Sequence, residues 1–154
     1  MPSPSASKAP RPTFELTAKQ GELLTAATSS ARHILAYGGS RSGKTFGFCY
    51  CLAHRAMMAP GSRHLIARLH NIDVRQSVML DTWPKMMGLT FPGVAYETNK
   101  TDQYVILPSD AEVWFSGLDD KERVDKILGK EFATIYVNEA SQVAMRRSPS
   151  CARA

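Results

Sequence analysis

Cysteine is scarce, with three in 154 residues. Cys49 and Cys51 stand two apart on a predicted helix, where side chains do not face each other, so no disulfide framework is expected. The four histidines, His33, His54, His64 and His70, lack the spacing of metal ligands, and no transition-metal site is expected. No apolar run approaches the ~20 residues that a membrane-crossing helix needs, so the membrane drops out as a partner. No basic run is interleaved with aromatics, which leaves composition only weak support for nucleic-acid binding. No internal repeat is visible. Residues 1–13 lack the apolar stretch of a signal peptide. With Pro2, Pro4, Pro10 and Pro12 set among serines, they read as a flexible tail, and the expected compartment is the cytoplasm.

What is present is an ordinary globular composition, 44% hydrophobic and 21% charged, in a chain of single-domain length. The net charge of +5 is unevenly spread. Residues 1–75 carry ten Lys/Arg against three Asp/Glu, whereas residues 76–139 carry six against eleven. A basic first half suits nucleotide phosphates, nucleic acid, or both.

Helical and strand patterns alternate along the chain. Thr17 and Gln20 have the spacing of a capping box and open a helix that runs to about Ser30. The apolar run 33–37 reads as a first strand. A helix from Thr45 to about Met58 follows and is stopped by Pro60-Gly61. A second strand covers 64–68. A helical stretch from about Ile72 is expected to break or restart at Trp83-Pro84. Three short strands, 94–97, 103–107 and 111–116, follow, with a hairpin turn at Pro108-Ser109-Asp110. A short helix over 119–128 closes at Gly129, and a buried-type strand spans 132–137. This alternation predicts an α/β domain with a mainly parallel sheet and helices on both faces.

The run 38–45 reads Gly-Gly-Ser-Arg-Ser-Gly-Lys-Thr, directly after a predicted strand and before a predicted helix. That spacing is a phosphate loop. Gly38, Gly39 and Gly43 let the backbone curl so that its N–H groups, with those of Ser40, Arg41 and Ser42, face an anion. Lys44 offers a point charge to the β- and γ-phosphates of ATP, and the Thr45 hydroxyl is placed to ligate Mg²⁺. Arg41 has three readings: a finger on the γ-phosphate, a solvent-facing side chain, or a partner for a neighbouring subunit. Gln20 can contact an adenine edge, although its capping role alone also accounts for it. Arg68 and Arg75 can sense phosphate, touch DNA or simply be solvated.

The last predicted strand ends in Asn138-Glu139-Ala140-Ser141. A strand-end acid downstream of a phosphate loop is what nucleotide hydrolysis needs, and Glu139 takes the general-base role. Asn138 can hydrogen-bond a metal-bound water but adds no negative charge, so Mg²⁺ would be held less firmly than by Asp.

In order, Leu-Thr-Ala-Lys-Gln, the loop 38–45, Ala-Arg-Leu-His-Asn, Val-Trp-Phe-Ser-Gly-Leu-Asp-Asp, Ile-Leu-Gly-Lys-Glu-Phe and Ile-Tyr-Val-Asn-Glu-Ala-Ser resemble the large subunit of tailed-phage terminases over roughly residues 13–143. The resemblance implies a RecA-like, additional-strand P-loop ATPase that drives double-stranded DNA through a portal into a procapsid, in the bacterial host cytoplasm. It makes 38–45 the Walker A loop, Asn138-Glu139 the Walker B end with Glu139 catalytic, and Gln20 the adenine contact. Arg41 resembles the family's loop arginine, which often stands one position earlier. Implied partners are phage DNA, the portal protein, the small subunit and further copies in a ring.

The same family continues past the acidic pair with another sheet strand and a nuclease domain. The expectation is therefore an ATPase domain over 14–143, incomplete at its C-terminus and lacking a central strand. Residues 144–154 would then form a basic tail that is out of frame or degraded. Two other readings stand beside the motor: a non-catalytic prophage remnant that at most binds nucleotide, and a helicase-like translocase. Against the translocase, Asn-Glu-Ala-Ser does not match helicase acidic boxes.

Overall fold

The computed structural model describes residues 14–39 and 42–142. Ser40, Arg41 and both expected tails lie outside the described residues. Helix α1 (Ala18–Thr28) starts where the sequence places it. The Thr17 hydroxyl accepts from the Gln20 backbone N–H, and the Gln20 side chain accepts from the Thr17 N–H, a reciprocal capping box. Helix α2 (Lys44–Met58) begins after Gly43, whose φ of 75° is the left-handed conformation that glycine adopts without penalty. Phe14 packs on Phe46 with ring centroids 5.4 Å apart, fixing the approach to α1 against α2.

The sheet has five strands in the order β2-β3-β4-β1-β5. They are β1 (Arg63–Arg68), β2 (Glu97–Asn99), β3 (Tyr104–Ile106), β4 (Glu112–Gly117) and β5 (Thr134–Val137). Strand β1 is central and pairs in parallel with β4 and β5, whereas β2-β3 and β3-β4 are antiparallel. The sheet is thus mixed rather than mainly parallel. The short turns joining β2, β3 and β4 leave no length for the crossover a parallel pair requires.

The expected strand over 33–37 does not form among the described residues. The segment carries no regular secondary structure and pairs with no described strand, and Leu35 and Tyr37 are 83% and 91% exposed. An apolar run supplies strand propensity, but a strand exists only where a partner strand offers backbone groups.

Between β1 and β2 the chain is helical over residues 71–90, as α3 (Asn71–Asp73), a π-helical stretch over Val74–Thr82 and α4 (Trp83–Thr90). The α-helix restarts at Trp83 as expected, with Pro84 in its first turn, and the turns ahead of it are wider. The Trp83 N–H bonds Val78 O, five residues back, just ahead of the proline that cannot donate. Helix α5 (Lys121–Leu128) is capped by the Asp120 side chain on the Glu122 N–H.

The core lies on one face of the sheet. Phe115, Ile66 and Tyr136 stand opposite one another on β4, β1 and β5, and the residues of α2, the π-helical stretch and α4 cover them. Trp83 meets Phe115 edge-on at 5.5 Å, and Phe48 stacks on Tyr136 at 4.2 Å. Burial of each such side chain stabilises by about 1.5–3 kcal/mol. The far face is covered only in part, with Leu65 and Ala67 of β1 buried. On the far face of β5, Ile135 and Val137 are exposed, and α5 has no buried residue.

Candidate functional site

Three elements converge at the C-terminal ends of β1 and β5. The loop ahead of α2 brings Gly43, Lys44 and Thr45, the end of β5 brings Asn138 and Glu139, and the end of β1 brings Arg68. Ligands of open α/β sheets commonly bind at this end of the strands.

The Lys44 ammonium donates to the carbonyls of Gly38 and Gly39, both at 2.8 Å, and to the Ser42 hydroxyl at 2.9 Å. The loop is therefore wrapped around its own lysine. Gln20 lies against it from α1, with its Nε2 3.5 Å from Gly43 O. Close contact of the two helices at Gly47 brings it there, because a Cβ at that position would stand 3.1 Å from Leu23 Cδ2. The side-chain oxygen of Gln20 closes the cap, and its amide nitrogen faces the loop. Both sequence readings of this residue remain compatible with the geometry.

Thr45 Oγ1 donates to Asn138 Oδ1 at 3.5 Å, a long bond across the two halves of the site. The Tyr136 hydroxyl donates to the same oxygen at 2.9 Å. Asn138 is 7% exposed and continues the β1-β5 ladder one step, with its N–H bonded to Ala67 O. Burial pushes the Tyr136 hydroxyl well above its ordinary pKa, so it serves as a fixed proton donor.

Glu139 follows in a left-handed backbone conformation, φ 56°. Its side chain turns to Arg68, with Nη2 2.6 Å from Oε2, while Arg68 Nη1 donates to Ser77 Oγ at 3.0 Å. This pair joins residues 71 positions apart. The sequence singles out both residues but offers nothing that couples them. Arg75, named beside Arg68, lies elsewhere, lining an open cleft with Asn71, Lys100 and Arg123.

One strand further over, two other motifs interlock. Asp119 accepts from the Asn71 N–H and contacts the His70 ring, and the Gly117 N–H donates to Asn71 Oδ1. A Cβ on Gly117 would lie 2.3 Å from Asn71 N, so only glycine fits there. The sequence shows Ala-Arg-Leu-His-Asn and Phe-Ser-Gly-Leu-Asp-Asp as separate signals. Folded, they are a single joint between β1 and β4.

Among the described residues, the thiols of Cys49 and Cys51 make no hydrogen bond to the site's side chains. Burial pushes Cys49 up to about 12 and Cys51 up to about 11, leaving both protonated at neutral pH.

Solved structures share this fold. The large terminase from a thermophilic bacteriophage superposes with a TM-score of 0.68 at 19% identity, over 88% of this chain and 37% of that one. Its complex with ADP gives a TM-score of 0.64 at 18% identity, over 87% of this chain and 36% of that one. Its complex with ATP-γ-S gives 0.62 at 18% identity, over 90% of this chain and 36% of that one. The chain therefore spans little more than a third of the length of those proteins. No curated protein matches it.

The architecture is thus that of part of a phage large terminase. Residues 35–148 match the family described as terminase large subunit, T4likevirus-type, N-terminal, and the chain belongs to that family.

Proposed function

We propose that this chain is a RecA-like P-loop ATPase domain that binds Mg-ATP at Gly38–Thr45 and hydrolyses it with Glu139 as general base. The contact between Thr45 and Asn138 carries the reading, because it joins the phosphate loop to the acidic strand end. The sequence alone can only list the two separately. Lys44 would exchange its loop carbonyls for β- and γ-phosphate oxygens, and the N-terminus of α2 would face the phosphates with its positive end.

The residues present suit Mg²⁺. The Thr45 hydroxyl donates its hydrogen bond to Asn138 Oδ1, and its oxygen would keep lone pairs for the cation as the hard ligand Mg²⁺ takes. Asn138, already accepting two hydrogen bonds, orients Thr45 or meets the ion through a water. Bound there, the ion would draw charge from the phosphate oxygens. Glu139 would take the proton of the attacking water as its oxygen bonds to the γ-phosphorus and the bond to the β–γ bridging oxygen breaks. Arg41 would supply positive charge to that transition state. Gln20 would read the adenine edge with its Nε2.

In the family setting, this hydrolysis would drive double-stranded phage DNA into a procapsid in the host cytoplasm. The portal protein, the small subunit and further copies in a ring would be its partners. A second reading rests on the unpaired segment 33–37, which leaves one arm of the loop without ladder support. On that reading the chain binds nucleotide without turning it over.

Mg-ATP binding and phosphate release by this chain, beside Lys44→Ala and Glu139→Gln, separate the two. Turnover that disappears in Glu139→Gln while binding persists supports hydrolysis. Binding without turnover in the parent chain supports the second reading. No binding in the parent chain overturns both.

A further inference from the structure

We propose that the Asn138 amide, held in place by Tyr136, hydrogen-bonds the terminal phosphate of a nucleoside triphosphate, so that this site grips the nucleotide with little dependence on Mg²⁺. The inference rests on the nucleotide-binding reading above and gives the amide its ligand. It starts from how the two arms of that amide are used. Oδ1 accepts from the Tyr136 hydroxyl at 2.9 Å and from Thr45 Oγ1 at 3.5 Å, which fills both lone pairs of a carbonyl oxygen. Nδ2 makes no hydrogen bond among the described residues. It is not among the buried polar atoms left without a partner, so the small exposure of Asn138 includes this donor. Burial of Tyr136 sets which way round the amide lies. Its ring stacks on Phe48 at 4.2 Å and is 8% exposed, so its O–H needs an acceptor inside the protein, and Oδ1 is that acceptor. Turning the amide over would set an N–H donor against the same hydroxyl.

The charges point to the same ligand. An amide nitrogen presents N–H hydrogens, which suit phosphate oxygens and do not ligate a cation. A carboxylate in this place would face the triphosphate as a like charge and need a cation between them. Asn138 removes that need. Glu139, the carboxylate of the site, is paired with Arg68 at 2.6 Å. Lys44 is held by neutral groups, the carbonyls of Gly38 and Gly39 and the Ser42 hydroxyl. With Lys44 and Arg68 set against Glu139, the described site carries a surplus positive charge before any ion enters. A triphosphate would take the Lys44 ammonium from those carbonyls and meet the Asn138 N–H with its γ-phosphate, the group that a diphosphate lacks. The Thr45 oxygen stays free for the cation that hydrolysis would use.

The test titrates the full chain with fluorescent ATP and ADP analogues, in Mg²⁺ and in EDTA, with melting temperature followed for each variant. On removal of Mg²⁺ the parent should lose no more than about fivefold in ATP affinity and still prefer ATP over ADP several-fold, the size of a hydrogen bond to a charged group. Asn138→Asp, which replaces the donor by a charge, should bind ATP at least about tenfold more weakly in EDTA and regain most of that with Mg²⁺. Tyr136→Phe keeps the stack on Phe48 but frees the amide, and should lose about two- to fivefold in ATP affinity in EDTA while ADP affinity barely moves. A parent chain that binds ATP with Mg²⁺ but loses more than about fivefold in EDTA overturns the inference and leaves the nucleotide-binding reading intact. So does a preference for ATP that is unchanged in EDTA in folded Asn138→Asp and Tyr136→Phe proteins. If Asn138→Asp fails to fold, the parent and Tyr136→Phe decide in the same way. Absence of binding in the parent chain with Mg²⁺ overturns both.

Discussion

Thr45 Oγ1 lies 3.5 Å from Asn138 Oδ1, across 93 residues of sequence, and Tyr136 donates to the same oxygen. An amide at this point gives the site shape without charge. Asn138→Asp keeps an oxygen where Tyr136 and Thr45 donate and adds a negative charge beside the hydroxyl proposed to ligate Mg²⁺. The Mg²⁺ concentration giving half-maximal nucleotide binding or turnover should fall roughly fivefold, the equivalent of about 1 kcal/mol. An unchanged Mg²⁺ titration would place Asn138 outside the metal's surroundings.

Gln20 has two candidate roles, and its two side-chain atoms separate them. Gln20→Glu retains an acceptor for the Thr17 N–H but loses the Nε2 donor facing Gly43. Stability should stay within about 0.5 kcal/mol of the parent, while ATP affinity falls several-fold. Gln20→Ala should lose both, with about 1 kcal/mol of stability. Calorimetric titration with ATP settles the matter: normal affinity in Gln20→Glu would reduce this residue to a helix cap.

Gly117→Ala should destabilise by about 1–3 kcal/mol or more, because the added Cβ would meet Asn71 N at 2.3 Å and Asn71 Cα at 2.5 Å. Both are backbone atoms at the start of α3, so no side-chain rotation relieves the clash. Urea unfolding followed by tryptophan fluorescence measures the effect. A midpoint equal to the parent's would show that the β1-β4 joint yields easily.

His64 is fully buried in β1, with Nε2 2.8 Å from Ser62 Oγ and Nδ1 unpartnered. Burial, helped by the nearby Arg55 charge, lowers its pKa from 6.5 to about 4. Between those values the unfolded chain takes up a proton that the folded chain refuses. The contribution of His64 is therefore complete above pH 6.5 and is lost as pH falls toward 4. The loss amounts to up to a few kcal/mol. Unfolding midpoints from pH 7 to 4.5 should fall for the parent chain and fall less steeply for His64→Gln. Parallel slopes would remove His64 as the titrating group.

Much of the architecture was legible because its causes are local. The Thr17–Gln20 box sets the start of α1, Gly43 and the loop spacing set the start of α2, and Asp120 with Gly129 brackets α5. Four of the paired strands, β1, β3, β4 and β5, fall where the sequence places them, but which runs find a partner could not be read locally. Residues 33–37 have the composition of a strand and no partner among the described residues, and the π-helical stretch before Pro84 reflects a hydrogen-bond shift that no periodicity announces. Arg68 could be singled out as a charge at a strand end, yet its engagement with Glu139 and Ser77 could not be read.

By itself, the sequence determined the chemistry at hand. A glycine-rich loop with Lys44 and Thr45, and a strand ending in Asn138-Glu139, follow from residue types at short spacing, where backbone geometry leaves few options. Tertiary structure alone decided which groups meet. The parallel register of β1 between β4 and β5 sets Arg68 beside Glu139 and Asn71 beside Gly117. The packing of α2 over Tyr136 carries Thr45 to Asn138. The reason is physical: side-chain chemistry is a property of single residues, whereas register and packing are fixed only when distant segments bury their apolar faces together.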